Sequence, residues 1–150
     1  MRLTLILLSL SLATAAAGAS APSRRAAPDL LRYAGRYPSD RISGISFRTH
    51  PLVRAAIDAA APAGIRGDIL SGQVEIPIAV LPNVIIGHSC EAHNCGSHNT
   101  SVAIDYRTRE AAVCRITDGR NAIWYRDGRV AARNGSCEPE EIPASIRFSM

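Results

Sequence analysis

The residues of this chain that could do chemistry crowd into one short stretch. Cys90-Glu91-Ala92-His93-Asn94-Cys95-Gly96 sets a histidine between two cysteines. His88 and His98 flank it, so His88, Cys90, His93, Cys95 and His98 offer five soft or borderline metal ligands. Three chemistries can use such a set. Zinc wants its ligands tetrahedrally placed, and donors this crowded in one loop struggle to surround an ion. Redox or nucleophilic cysteines usually stand as C-x2-C at a helix N-terminus; here the spacing is C-x4-C and the flanks read as strand. The third option is covalent. A disulfide needs its α-carbons about 4.4–6.8 Å apart, and a tight loop between strands supplies that. Cys90–Cys95 would then close a small rigid knuckle with His93 near its tip. Chain entropy gives so short a ring only about 2 kcal/mol. Its larger effect would be a loop already ordered before it meets a partner. The same ring could also serve only as a staple of the fold.

The rest of the sequence says where such a knuckle would live. Met1-Arg2, the apolar run Leu3 to Leu12 and the alanines from Ala13 to Ala21 form an export signal of about 20 residues, with cleavage near 17–21. The run is too short to span a membrane, so a single exported domain over 21–150 is expected. In an oxidising compartment an even number of cysteines reads first as disulfides. Cys90–Cys95 with Cys114–Cys137 is the natural pairing, because the first two are so close; the other two pairings stay open.

Charge excludes one class of partner. The chain carries 17 Lys+Arg against 13 Asp+Glu, a net charge of +4, and every cation is arginine. A nucleic-acid binder clusters its cations; here they are interleaved with acids, and aromatics make up only 5%. No Ser-His-Asp pattern and no phosphate-binding glycine loop is visible, so the chain is read as a non-enzyme, without cofactor or metal.

The elements that must carry the knuckle come in order. Asp29 to Tyr37 suggests a short helix, and Ser39 to Phe47 a loop. His50 to Ala61 is the best helix: Pro51 fits its first turn, His50 or Thr49 its cap, and Leu52, Val53, Ala56, Ile57 and Ala60 share one face. From Gln73 the apolar period drops to two. Val74, Ile76, Ile78 and Val80 predict a half-buried strand, with Pro77 placing it at an edge or a bulge. Val84 to His88, Ser101 to Tyr106, Ala111 to Ile116 and Ile123 to Tyr125 follow as strands, with a short sixth possible at Arg129 to Ala132. Asp118-Gly119 and Asp127-Gly128 are hairpin signals. Asn134-Gly135-Ser136 reads as a turn, and Ile142, Ile146 and Phe148 as inward-packing. His88 and His98 read as polar groups at strand ends. The expected class is α+β: an antiparallel β-sheet of about five strands, helices packed alongside, and a protruding disulfide-closed loop.

The stretch Ile86 to Ser97, followed by a Val/Ile strand, resembles the inhibitor of vertebrate lysozyme family, Ivy. That family has a Cys-Lys-Pro-His-Asp-Cys loop followed by Gly-Ser. Cys90, His93, Cys95, Gly96 and Ser97 match it position by position, and the likeness covers about Val74 to Tyr125. The resemblance implies a periplasmic antiparallel sheet, with homodimers common, and an inhibitory loop of Cys90, Glu91, Ala92, His93, Asn94 and Cys95. The loop would occlude the cleft of a lysozyme or other muralytic glycosidase, with His93 toward the catalytic carboxylates and Glu91 and Asn94 as secondary contacts. Glu91, Ala92 and Asn94 stand where the family has Lys, Pro and Asp; Asn94 keeps an acceptor and loses the charge. Vertebrate lysozymes are basic, as this chain is, so the cell's own lytic transglycosylases form the alternative target. A zinc-binding or purely structural exported protein is the other alternative.

Overall fold

Helix and sheet meet through residues whose periodicity assigns them to one layer or the other. The computed structural model describes residues 27–133, 136–146 and 148. The expected export signal and its cleavage site, and the Asn134-Gly135 turn, lie outside the described residues. A short helix, α1 (Ala27–Leu31), ends sooner than the sequence suggests and gives way to turns. The principal helix is α2 (Pro51–Ala60). His50 caps it, its Nδ1 accepting from the Leu52 amide at 3.2 Å, and Pro51 occupies the first turn, where its missing N–H costs nothing. Val53, Ala56, Ile57 and Ala60 are buried on its inner face.

The stretch expected as loop before α2 is a tight hairpin. Strands β1 (Arg41–Ile42) and β2 (Ile45–Ser46) pair antiparallel. Their two-residue turn, Ser43-Gly44, has positive φ at both positions (52° and 83°), as a type I′ turn requires.

Six further strands form one antiparallel sheet in sequence order: β3 (Val74–Val80), β4 (Val84–Cys90), β5 (Asn99–Asp105), β6 (Ala111–Ile116), β7 (Ile123–Arg126) and β8 (Arg129–Arg133). The expectation of about five strands is one short. The sixth is fixed by Asp127-Gly128, whose positive φ values of 51° and 71° close a two-residue hairpin between β7 and β8. β3 is an edge strand, and its register shifts between Ile76 and Ala79, around Pro77. Its even alternation is not realised: Ile78 is buried, whereas Val74 and Val80 are exposed. The edge is covered locally, since Gly35 N–H donates to the Ile78 carbonyl and Ile78 N–H to the Arg36 carbonyl.

The central strands are buried on both faces. Ile85, Val102, Ile104 and Val113 pack with α2, Tyr33 and Phe47. Their neighbours Ile86, Ala103, Ala112 and Cys114 pack on the opposite face with Trp124, Cys137 and Ile146. This second layer is the C-terminal segment, held to β6 by the Cys114–Cys137 disulfide; Ile142 and Phe148 pack against it. Gly87 on β4 is forced by packing, since a Cβ there would lie 2.7 Å from the Phe47 ring. Among the described residues no helix is long and apolar enough to cross a membrane.

His88 departs from expectation. It is no strand-end group: it lies inside β4, 3% exposed. Its Nδ1 is 2.8 Å from Ser101 Oγ, which in turn donates to the Cys137 carbonyl. Burial lowers its pKa below the ordinary 6.5, opposed by the Glu138 carboxylate, the Cys137 carbonyl and the Glu140 carboxylate. The folded chain therefore holds His88 neutral where the unfolded chain already takes up a proton. Stability falls as pH drops below the ordinary value and through the window down to the lowered one. The melting temperature is expected to fall between pH 7.5 and pH 5, and by less in His88→Asn; an equal fall in both would remove His88 as a cause.

Candidate functional site

β4 runs into the knuckle and β5 leads out of it. Cys90 and Asn99 are paired across the two strands, and Glu91 N–H adds one more rung to the His98 carbonyl at 2.9 Å. The Cys90–Cys95 disulfide closes the loop, with α-carbons 4.9 Å apart. Both natural pairings are thus formed, which suits an oxidising compartment.

Within the ring the chain makes a β-turn. Asn94 N–H donates to the Glu91 carbonyl at 3.1 Å, so Ala92 and His93 are the central residues. His93 has φ +62°. A turn with positive φ only at its second central position favours Gly or Asn there, and an L-residue in this region costs roughly 1–2 kcal/mol. A histidine held so is the most strained feature of the loop. Its ring is exposed, and among the described residues no hydrogen bond or ion pair engages it.

The other loop residues are tied down. Asn94 Nδ2 lies 2.7 Å from Glu91 Oε2 and 2.7 Å from His98 Nδ1. Ala92 N–H donates to Gln73 Oε1 at 3.2 Å. The Ser97 and His98 amides both donate to the Asn94 carbonyl, at 3.0 and 2.8 Å. Asn99 Nδ2 donates to the Cys95 carbonyl at 2.6 Å. At the base, Gly72 lies against Cys90 so closely that a Cβ would meet the Cys90 backbone at 2.5 Å. The segment before β3 therefore buttresses the root of the knuckle as well as its side.

The five candidate metal ligands do not converge. Both sulfurs are in the disulfide, His88 is inside the sheet bonded to Ser101, and His93 points outward at the tip. Among the described residues no group of three His, Cys, Asp or Glu side chains is placed to hold a metal ion. A groove of about 360 Å³ lies behind the knuckle, lined by Asp68, Ser71, Gln73, His98, Thr100 and Arg115 among others. Its polar groups are largely spent on the protein itself. Arg115 pairs with Asp68 at 2.6 Å, Ser71 Oγ donates to the Asp68 carbonyl, and Thr100 Oγ1 accepts from the Leu70 amide. Among the described residues, the buried Asn99 Oδ1 in this groove has no hydrogen-bond partner, and at the exposed tip the imidazole of His93 is likewise unengaged.

A sequence model of one family, inhibitor of vertebrate lysozyme (Ivy), matches residues 68–147. The chain belongs to the Ivy family. Among curated proteins and among solved structures nothing matches. The Ivy match is longer than the stretch from Val74 to Tyr125 that the resemblance covered. It begins at Asp68, so it takes in Gly72 and Gln73, and it reaches past Cys137 to the segment that covers the second face. α2 and the β1–β2 hairpin precede it.

Two features of this Ivy loop escaped the sequence reading. The positive φ of His93 has no signal in its residue type beyond histidine's mild tolerance of that region. The amide nitrogen of Asn94 also ties the loop to Glu91 and His98, a link that residue type alone does not reveal.

Proposed function

We propose that this Ivy-family protein is an exported, periplasmic inhibitor of a lysozyme-type glycosidase. The loop Cys90, Glu91, Ala92, His93, Asn94 and Cys95 enters the active-site cleft, and His93 meets the two catalytic carboxylates. The observation that carries this reading is the exposed, unengaged His93 ring on a covalently closed turn. The chemistry fits. Glycosidases of this kind work with one protonated acid and one ionised carboxylate. A neutral imidazole can donate from one nitrogen and accept at the other, so a single ring answers both groups. Inhibition is by occlusion, without turnover.

The net charge of +4 bears on the target. Like charge slows encounter with a basic lysozyme, although screening beyond about 8 Å leaves only the contact patch to matter. This favours keeping the cell's own lytic transglycosylases as a second target. The test is to titrate the oxidised mature protein against a c-type lysozyme, a g-type lysozyme and a lytic transglycosylase, reading cell-wall lysis. Inhibition of the c-type enzyme is expected. Inhibition of the transglycosylase alone would move the target to self; inhibition of none would overturn the function.

A further inference from the structure

Asn94 and Glu91 belong to the loop that would enter the cleft, yet their side chains are turned on each other. Only one assignment of the Asn94 amide fits. A carboxylate accepts and cannot donate, so the atom 2.7 Å from Glu91 Oε2 must be the NH₂ group. Its second hydrogen is then directed to His98 Nδ1, also 2.7 Å away, which must be the unprotonated ring nitrogen. One amide group thus spans the open side of the ring, joining the residue that enters the turn to the residue that leaves the loop. His93 immediately precedes Asn94 and has the left-handed backbone. Such a backbone persists only where its surroundings over-determine it.

We infer that Glu91, Asn94 and His98 form a positioning clamp that holds His93 in its left-handed conformation. The inference rests on the proposed role of His93. It changes the part given to Glu91 and Asn94: they act on the loop, and His98, outside the ring, acts with them. The disulfide sets the width of the loop; the clamp sets the direction in which the imidazole leaves it. Without the clamp the turn relaxes toward negative φ and the ring leaves in another direction. Apparent affinity falls in proportion to the fraction of molecules still competent. If about one in ten retains the turn, inhibition weakens about tenfold.

The test exchanges donor and acceptor while conserving charge. Asn94→Asp sets two carboxylates face to face and is expected to weaken inhibition about tenfold. Glu91→Gln keeps an acceptor toward Asn94 and is expected to keep the turn at residue 93 as in the parent; its inhibition is the reference for the double variant. The double variant Glu91→Gln/Asn94→Asp restores the bond in the reverse direction and is expected to recover to within about twofold, a coupling that direct contacts would not show. The same four proteins, free of enzyme, are compared by NMR. The intraresidue amide-to-α-proton cross-peak of residue 93, strong only at positive φ, should weaken in Asn94→Asp and return in the double variant. An unchanged cross-peak in Asn94→Asp overturns the clamp whatever the inhibition shows. A double variant no better than Asn94→Asp in both readouts overturns it too. Failure of the His93 role is seen separately, as full inhibition by a protein lacking that imidazole while the cross-peak pattern still decides the clamp.

Discussion

Replacing His93 with asparagine is expected to leave a folded, doubly disulfide-bonded protein that inhibits at least about thirtyfold less well, the scale of a central contact worth about 2 kcal/mol or more. The site explains why stability is spared. His93 is exposed and packs in neither core. Asparagine is the more telling replacement because it tolerates positive φ, so the turn at φ +62° is kept while the imidazole is removed. His93→Ala removes the same ring but adds a backbone preference against the turn, and is expected to inhibit no better than the asparagine variant. Inhibition constants and melting temperatures of the three proteins decide the matter. Asparagine and alanine variants that both inhibit like the parent would end the proposed role of His93.

Much of what positions that residue is legible in the residues themselves, because the signals are local. His50-Pro51 marks the start of α2 through capping chemistry, and the structure places the His50 ring on the Leu52 amide. Asp127-Gly128 marks a hairpin through its need for two positive φ values. Pro77 marks an edge and a bulge through its missing donor. The pairing of cysteines close in sequence follows from reach. What stayed hidden depends on the whole chain. Alternation suggested strands with one wet face, but β4 and β5 are buried throughout, since the C-terminal segment closes the second layer. His88 beside the knuckle looked like a strand-end group because sequence proximity does not reveal the partner on β5. Within the knuckle, the ties from Gln73 and His98 come from outside the ring. A short motif can show which residue stands at the tip, but not what holds it there.

The two disulfides should separate stability from inhibition. Cys114–Cys137 closes a sequence separation of 23 residues, and both cysteines are fully buried between β6 and the C-terminal segment. Chain entropy alone assigns such a loop about 3 kcal/mol. Its loss also frees the segment that carries Ile146 and covers Trp124. Cys114→Ala/Cys137→Ala is therefore expected to lower the melting temperature by about 10 °C or more, at some 3–5 °C per kcal/mol for a domain this size. Where that variant is still folded it should inhibit, because the knuckle keeps its own bridge. Cys90→Ser/Cys95→Ser has the opposite profile. Its ring is worth only about 2 kcal/mol, the flanking rung from Glu91 to His98 remains, and no core residue but Cys90 itself is disturbed. It should melt no more than about 6–10 °C lower at the same conversion, yet lose at least about tenfold in inhibition, since a looser turn holds His93 in place for a smaller share of the time. Thermal melts and inhibition titrations of the two double variants give a crossed result if the knuckle serves recognition. A large melting loss with intact inhibition for Cys90→Ser/Cys95→Ser would make that ring a staple of the fold, and the loop would lose its claim to be the inhibitory element.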